Sequence, residues 1–458
     1  MILRRFIAVV LASLALLAAA TGLWLYNLNH FQVRGELEVR GLDEPVEVLR
    51  DDRGIPYIFA AGTRDAYLAQ GFITAQHRLF QMEFYRRLIE GRLSEIVGRR
   101  GFASDRWMRL LDPAGNAREH WQRLQPSDRI ALQAYADGVN AYIRDYRHEH
   151  HAELRLAGIE ARPWLPEDLL SIAHYVASTQ SQSLRAGLVM HRIRDRIGAT
   201  RTAMLFPDMI PPDLPDQPPV RDRLAGDGTQ DPAEDWLPPG IGAGSNAWAI
   251  APGRSSGAGA VLANDPHLDG RMLPGVWHPV GLYTPEARAI GAALPGLPGM
   301  LVGRNEHLAF GITNAYGDTQ DLYIETPDPE DPGRYLDGPR SLPFHVREEV
   351  IRIADDDAPG GMLEERIEVR TTHRGPVISD QPPASRTGRI VSLRWTAAHP
   401  VGQGSRLGID RLWRAGDEGE LLRAAGDISL LTLNLVYADI RGTVGKGNCC
   451  ALPGISPS

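Results

Sequence analysis

The chain has 458 residues, of which 43% are hydrophobic, a net charge of −8 and two cysteines. This length predicts two or more packed units or one large layered domain. No basic stripe or Lys/Arg block occurs in the sequence, which argues against nucleic acid as a partner. Both cysteines, Cys449 and Cys450, stand side by side near the end, so disulfides are not expected to hold the fold.

The chain begins with an apolar run over residues 6–26, directly behind Arg4 and Arg5. Such a run behind positive charges is typical of an export signal, and the alanines at 18–20 offer a cleavage site for a signal peptidase. The run is also long enough to span a bilayer, and a buried core helix is a further alternative. We therefore expect residues 1–30 to be a removed signal peptide or an inner-membrane anchor of a periplasmic or otherwise extracytoplasmic protein.

Helical periodicity dominates the first part of the chain, residues 31–206. The patterns there predict two short strands followed by three helices, over residues 46–49, 55–59, 66–98, 130–143 and 167–182. Gly71 and Gly91 are expected to interrupt or bend the first helix.

A Pro-rich acidic spacer covers residues 207–244. Between Pro207 and Pro239 it contains nine prolines, and eight acidic residues against two arginines. Such a composition cannot bury much surface and predicts an exposed linker. After the spacer the sequence pattern changes to that of a strand-rich part, residues 245–445. Short strands are predicted there over 247–250, 260–263, 288–293, 307–313 and 349–353.

A serine follows a glycine where the spacer meets the first of these strands, at Gly244-Ser245. The Ser245 hydroxyl can attack the preceding carbonyl, because glycine tolerates backbone strain that other residues resist. Cleavage would give Ser245 a free α-amine with a pKa of roughly 7.7 to 8.0. Such an amine can act as the base for its own hydroxyl. Ser245 is therefore predicted to be a catalytic nucleophile.

Two other motifs have competing interpretations. Gly253-Arg254-Ser255-Ser256-Gly257 matches the nucleophile elbow of strand-elbow hydrolases, but that elbow needs a helix after the serine. A strand-like run follows instead, so Ser255 is predicted to lie in a hairpin loop. His148, His150 and His151 could contribute to a zinc site, although their spacing differs from that of the helical His-Glu-x-x-His motif, and a solvated helix end is the preferred interpretation.

Five stretches of the chain resemble the penicillin acylases of the N-terminal nucleophile hydrolase superfamily. They are Arg53-Gly54-Ile55-Pro56-Tyr57-Ile58, Ala75-Gln76-His77-Arg78-Leu79-Phe80-Gln81-Met82-Glu83, Gly244-Ser245-Asn246-Ala247-Trp248, Asn264-Asp265-Pro266-His267 and Asn434-Leu435-Val436-Tyr437-Ala438-Asp439.

The resemblance implies an α+β fold, namely the αββα four-layer sandwich in incomplete form, with a mainly helical first chain. It also implies a precursor that is cut between Gly244 and Ser245 and loses its spacer, which gives a heterodimer of its own two chains. The expected activity is hydrolysis of a linear N-acyl amide through an acyl-enzyme on Ser245, with β-lactam side chains or acyl-homoserine lactones as substrate classes. No organic cofactor is expected.

Further site residues follow from the same resemblance. Asn434 matches the side-chain donor to the developing oxyanion, Asn314 the backbone N–H donor, and His267 a residue that contacts the nucleophile. Asn434 also lies in an apolar run, where an amide is otherwise costly. The family's calcium loop is matched by Asp318, Gln320 and Asp321, although a glutamate expected near residues 180–187 is missing.

The end of the chain departs from the family pattern. The only lysine, Lys446, stands three residues before Cys449, and the family's second chain continues well beyond this point. We expect residues 446–458 to be an aberrant tail on a truncated second chain. An alternative hypothesis is therefore a non-catalytic fragment that acts at most as a binding module. A third is an esterase that uses Ser255.

Overall fold

The computed structural model describes residues 10, 12–22, 30–147, 151–181, 183–206, 244–257, 259–268, 274–380, 389–398 and 405–449. Residues 10 and 12–22 are helical, whereas the rest of the predicted signal or anchor run lies outside the described residues. The same holds for the spacer at 207–243 and for 450–458. Within the described ranges, no helix combines the length and the apolarity that crossing a bilayer requires.

Nine α-helices and one 3-10 helix, Gly98–Gly101, occupy the described part of residues 30–206, and two more α-helices follow later. In chain order they are α1 (Thr63–Ile89), α2 (Ser94–Val97), α3 (Phe102–Leu111), α4 (Pro113–Trp121), α5 (Pro126–Asp145), α6 (Ala152–Leu156), α7 (Pro166–Gln180), α8 (Ser183–Ile197), α9 (Ala199–Leu205), α10 (Ile409–Leu412) and α11 (Glu418–Gly426). The predicted helical character of the first part is therefore observed.

Helix α1 runs without interruption through Gly71, contrary to the expected break or bend. A Cβ at Gly71 would lie 2.1 Å from the carbonyl oxygen of Tyr135 on α5. The glycine is needed for close packing of two helices, and the helix instead ends at Ile89, just before Gly91.

Sixteen strands are described. They are β1 (Glu47–Arg50), β2 (Pro56–Phe59), β3 (Ser245–Ile250), β4 (Val261–Pro266), β5 (His278–Tyr283), β6 (Arg288–Ala293), β7 (Val302–Arg304), β8 (Leu308–Asn314), β9 (Gln320–Pro327), β10 (Arg334–Asp337), β11 (Arg340–Pro343), β12 (His345–Ala354), β13 (Met362–Thr371), β14 (Ile390–Trp395), β15 (Leu433–Asp439) and β16 (Val444–Cys449).

An eight-stranded sheet has the order β1-β2-β5-β6-β7-β8-β15-β16. All of its neighbouring strands are antiparallel except β2 and β5, which pair in parallel with Tyr57 opposite Gly281. A four-stranded sheet has the order β11-β10-β9-β14, and β12–β13 and β3–β4 form separate hairpins. Strand β16 continues through Lys446 to Cys449, which pairs opposite Leu433, so the first four residues of the expected aberrant tail belong to a regular strand.

Helices cover one face of the eight-stranded sheet. Ile312 on β8 and Leu435 on β15 point into the main hydrophobic core together with residues of α1, α5 and α7. The helices are also tied to the loop after β6, because the side chain of Gln70 exchanges hydrogen bonds of 2.8 and 2.9 Å with the backbone of Gly299.

The β3–β4 hairpin contacts β8 and β15 on the opposite face. A Cβ at Gly311, next to core-facing Ile312, would point at Asn264 of β4, because successive residues of a strand face opposite sides. Helices, sheet and hairpin thus form three successive layers in the described part of the chain. The predicted α+β class is confirmed.

Candidate active site

Ser245 is the first residue of β3 and pairs opposite Pro266 at the end of β4. The residue before it, Gly244, has a positive φ of 83°, which glycine adopts at little cost. The Gly244 carbonyl oxygen accepts a hydrogen bond of 3.2 Å from the backbone N–H of His267. The carbonyl that Ser245 is predicted to attack is therefore held in place at the end of the hairpin, and Ser245 itself is half-buried.

The ends of β8 and β15 bring the two predicted oxyanion donors together. Asn434 pairs opposite Thr313, and Asn314 lies opposite Leu433. The Asn434 side-chain nitrogen donates to Thr313 Oγ1 at 3.1 Å and to the Asn314 carbonyl oxygen at 3.2 Å. Asn434 is half-buried on the hairpin side of the sheet, so its polar side chain lies outside the apolar core.

The side chain of Asn314 stabilises a turn. Its Oδ1 accepts from the backbone N–H of Tyr316 at 2.9 Å, and its Nδ2 donates to the carbonyl oxygen of Gln180 at the end of α7. Such Asx turns are a common use of asparagine. The role predicted for Asn314 concerns its backbone N–H, which these side-chain bonds leave unaffected.

His267 reaches the Gly244–Ser245 bond through its backbone. Its imidazole Nε2 pairs with Asp265 Oδ2 at 2.9 Å, and the ring is 36% exposed. In the uncleaved chain the imidazole is thus engaged by a neighbouring carboxylate, while the backbone N–H binds the carbonyl ahead of Ser245.

Tyr316 is a residue of the site that was not predicted. It has a φ of 49°, which is uncommon for a residue other than glycine, and its hydroxyl would lie 4.0 Å from a Cβ at Gly244. Strained residues often cluster at functional sites. The only sequence signal for this turn is an asparagine two residues earlier, because Asn314 supplies the hydrogen bond that holds it.

The predicted calcium residues lie at the start of β9. Asp318 is exposed and Asp321 is half-buried, while the buried Gln320 has a side-chain oxygen without a hydrogen-bond partner among the described residues. Burial raises the pKa of Asp321, the negative charge of Asp318 raises it further, and Arg394 opposes both. Within the described ranges, no three or more His, Cys, Asp or Glu side chains form a metal-binding group.

The structure also places two motifs with competing interpretations, the elbow-like sequence around Ser255 and the histidine cluster that ends at His151. Ser255 lies in the loop between β3 and β4, with a strand and no helix after it, as expected. His151 is buried: its Nδ1 accepts from the Phe80 N–H and its Nε2 contacts the Gln76 carbonyl oxygen. The prediction of a solvated helix end is therefore wrong for His151, and residues 148–150 lie outside the described part.

Comparison with known proteins identifies the family. The penicillin amidase family model matches residues 45–456, most of the chain. This chain belongs to the penicillin amidase family. Among curated relatives, it is 29% identical to the acyl-homoserine lactone acylase QuiP of Pseudomonas aeruginosa over 88% of this chain and 49% of that protein. It is also 31% identical to the penicillin acylase 2 proenzyme of a Pseudomonas species, over 90% of this chain and 53% of that protein.

The penicillin G acylase of Escherichia coli is 25% identical over 89% of this chain and 54% of its own length. The penicillin amidase family chain described here therefore spans about half the length of the curated relatives it matches. A solved structure, the thermostable penicillin G acylase of Alcaligenes faecalis, matches with a TM-score of 0.37 and 22% identity, over 46% of this chain and 37% of that chain.

Proposed function

We propose that this chain is the precursor part of an amidohydrolase that cleaves itself between Gly244 and Ser245 and then uses Ser245 as its nucleophile. The observation that carries the proposal is the position of Ser245. It lies at the end of a hairpin that contacts β8 and β15, the two strands whose ends carry Asn314 and Asn434. Membership of the penicillin amidase family supports the same reaction class.

Self-cleavage begins with attack of the Ser245 hydroxyl on the Gly244 carbonyl carbon. The His267 N–H already donates to that carbonyl oxygen, so a hydrogen-bond donor is in place where negative charge develops. The Ser245 nitrogen leaves as an amine, and water then hydrolyses the ester. The products are a first chain that ends before Ser245 and a second chain that begins with it.

In the processed enzyme the free amine of Ser245 takes the hydroxyl proton, through a water, and later returns it to the leaving amine. The acyl group passes to Ser245 and is released as a carboxylic acid. Asn434 and the backbone N–H of Asn314 donate to the oxyanion, and each such donor typically contributes about 2.7 to 4 kcal/mol. His267 supports the nucleophile from the end of β4.

The proposed substrates are linear N-acyl amides. The relatives include an acyl-homoserine lactone acylase and a penicillin acylase, which supports the acyl-homoserine lactone and β-lactam classes.

Two accessory features are part of the proposal. Asp318 and Asp321, together with the oxygen of Gln320, would hold calcium, a hard cation that prefers oxygen ligands. The unpartnered Gln320 oxygen and the raised pKa of Asp321 fit a site that a cation would complete. Residues 6–26 would direct export to the periplasm and could remain as an inner-membrane anchor.

The test is mass spectrometry and amino-terminal sequencing of the purified protein. A new chain that begins Ser245-Asn246-Ala247 is expected, with release of the free acid from penicillin G or an N-acyl-homoserine lactone. Ser245→Ala should remain intact and inactive, whereas the matched control Ser255→Ala should be cleaved normally. An intact, inactive wild-type chain would favour the non-catalytic hypothesis. Turnover by uncleaved Ser245→Ala protein would contradict the proposal.

A further inference from the structure

The side chain of Asn264, on β4, binds the backbone of β8 as a neighbouring strand would. Its Nδ2 donates to the Ile312 carbonyl oxygen at 2.8 Å, and its Oδ1 accepts from the Ile312 N–H at 3.1 Å. Strand β7 is antiparallel to β8 and pairs with it only opposite Ala309 and Phe310, so this edge of Ile312 lies beyond Val302, where β7 begins. A primary amide has the same donor and acceptor pair as a peptide group, and Asn264 therefore completes the edge.

The same Nδ2 also donates to the carbonyl oxygen of Asn246 at 3.1 Å. Asn246 directly follows Ser245 on β3. One side chain thus joins three strands: β4, which carries it, β3, which begins with Ser245, and β8, which ends at Asn314. These contacts fix the position of Ser245 relative to Thr313 and Asn314.

Gly311 leaves the space that Asn264 occupies. A Cβ at Gly311 would lie 2.7 Å from the Asn264 Cβ and 2.8 Å from its Cγ, distances that real side chains essentially never show. Any other residue at 311 would push the hairpin away from β8. Asn264 and Gly311 are therefore matched across the interface between the hairpin and the sheet.

We propose that Asn264 is a positioning residue, which holds the Ser245 hydroxyl at the Gly244 carbonyl and beside the oxyanion donors. This inference rests on the proposed function and adds a residue to it. Asn264 touches neither the scissile carbonyl nor the substrate in this role. It acts through the backbone of Asn246.

The experiment measures the rate of Gly244–Ser245 cleavage in the full chain. Asn264→Asp keeps the size of the side chain, but its carboxylate has no N–H and faces two carbonyl oxygens. Cleavage is expected to slow at least tenfold in protein whose near-ultraviolet circular dichroism matches that of the wild type. Gly311→Ala should slow cleavage similarly, because it moves the hairpin without changing Asn264.

Asn305 provides a matched control in the same sheet. Its Nδ2 also donates to two carbonyl oxygens, those of Trp413 and Ala415, but it lies in the turn before β8. Asn305→Asp should lower the melting temperature without slowing cleavage of the folded protein. A protonated aspartic acid can donate one hydrogen bond, so the deficit of Asn264→Asp should shrink as the pH falls, a change that general destabilisation would not produce.

The outcomes separate the two proposals. Cleavage of folded Asn264→Asp within twofold of wild type, or normal cleavage of Gly311→Ala, contradicts the positioning role alone. An equal slowing by Asn305→Asp does so as well, since it would indicate a general effect of stability. An intact wild-type chain contradicts the proposed function itself.

Discussion

The backbone N–H of His267 donates to the carbonyl oxygen of Gly244 at 3.2 Å, and this bond spans the open end of the β3–β4 hairpin. It holds Gly244 at a φ of 83°, a conformation that costs other residues about 1–2 kcal/mol. The peptide bond proposed to break, between Gly244 and Ser245, therefore directly follows a residue whose backbone conformation favours glycine.

Gly244→Ala is expected to slow self-cleavage by about 5- to 30-fold, the factor that corresponds to about 1–2 kcal/mol of strain. A Cβ at 244 would have only the Tyr316 hydroxyl nearby, at 4.0 Å, so the effect should come from the backbone alone. Densitometry of the precursor over time would measure it. Gly253→Ala, with nothing within 4 Å and no positive φ, should cleave normally, and equal rates in both variants would refute the strain argument.

Asn434→Ala should lower kcat about 10²- to 10³-fold in protein that has been processed, since it removes a donor to the oxyanion. Thr313→Val removes the hydroxyl that accepts from Asn434 and keeps the donor, so it should cost less than tenfold. Steady-state kinetics on an N-acyl amide would compare the two. An unchanged kcat in folded Asn434→Ala would exclude Asn434 as an oxyanion donor.

Calcium is expected to raise the melting temperature of the wild type, because a ligand that binds the folded state stabilises it by mass action. Asp321→Asn should remove most of this increase, since it deletes a charged oxygen ligand. Thermal melts in EDTA and in millimolar calcium would show the difference. The exposed Asp356→Asn serves as a control and should respond to calcium like the wild type; the same response in Asp321→Asn would argue against this site.

Glu83→Ala should destabilise the fold by about 3 kcal/mol, because it removes the buried carboxylate that binds Arg86 and leaves only Asp168, at 3.2 Å, to balance that buried charge. Glu83 Oε1 accepts from Arg86 at 2.5 Å and from Trp164 Nε1 at 2.9 Å, and both charged side chains are 2% exposed. Urea unfolding would measure the loss. The exposed pair of Glu348 and Arg366 offers the comparison: Glu348→Ala should cost about 1 kcal/mol or less, and equal losses would contradict the role of burial.

Asp128→Asn should stabilise the protein more at pH 8 than at pH 5. Burial raises the pKa of Asp128 to about 7, with a further contribution from the negative charge of Asp410 and opposition from Arg411. An acid whose folded pKa exceeds its unfolded value of about 3.9 favours folding at low pH. This contribution is lost as the pH rises from about 3.9 to about 7. The carboxylate therefore costs the wild type more stability at pH 8 than at pH 5.

Free energies of unfolding at the two pH values, for wild type and variant, would test this sign. Asp337→Asn is a useful comparison, because hydrogen bonds from Arg340 and Arg374 lower the pKa of Asp337, so removal of its charge should not give greater stabilisation at pH 8. An Asp128→Asn effect independent of pH would contradict the prediction.

Regular local patterns were predictable from the sequence. Strand β6 matches its predicted limits, Arg288 to Ala293, and α5 contains the predicted 130–143 segment, because apolar residues recur there at the period of each element. Helix α4 was not predicted, although the sequence contains a recognisable signal for its start. Asp112 and Pro113 are a favourable N-cap and first residue, and the Asp112 side chain accepts from the Gly115 N–H.

Contacts between distant residues were not predictable in this way. His151 was expected in solvent but is buried against Phe80 and Gln76 of α1, and no local pattern reports such a partner. For the site, the sequence identified Ser245, Asn314 and Asn434, whose proposed roles stay predictions. It could not indicate that the Asn264 side chain substitutes for a strand, because that depends on where β7 begins.

The parallel pairing of β2 with β5 determines whether the two products of cleavage stay together. It places Tyr57 against Gly281, so a segment from before residue 244 is hydrogen-bonded within the same sheet as segments from after it. Scission ahead of Ser245 would therefore release neither piece. The two polypeptides could separate only if the hydrogen bonds between β2 and β5 broke and the shared hydrophobic core became exposed to water. We expect them to remain associated through purification and to separate only on denaturation.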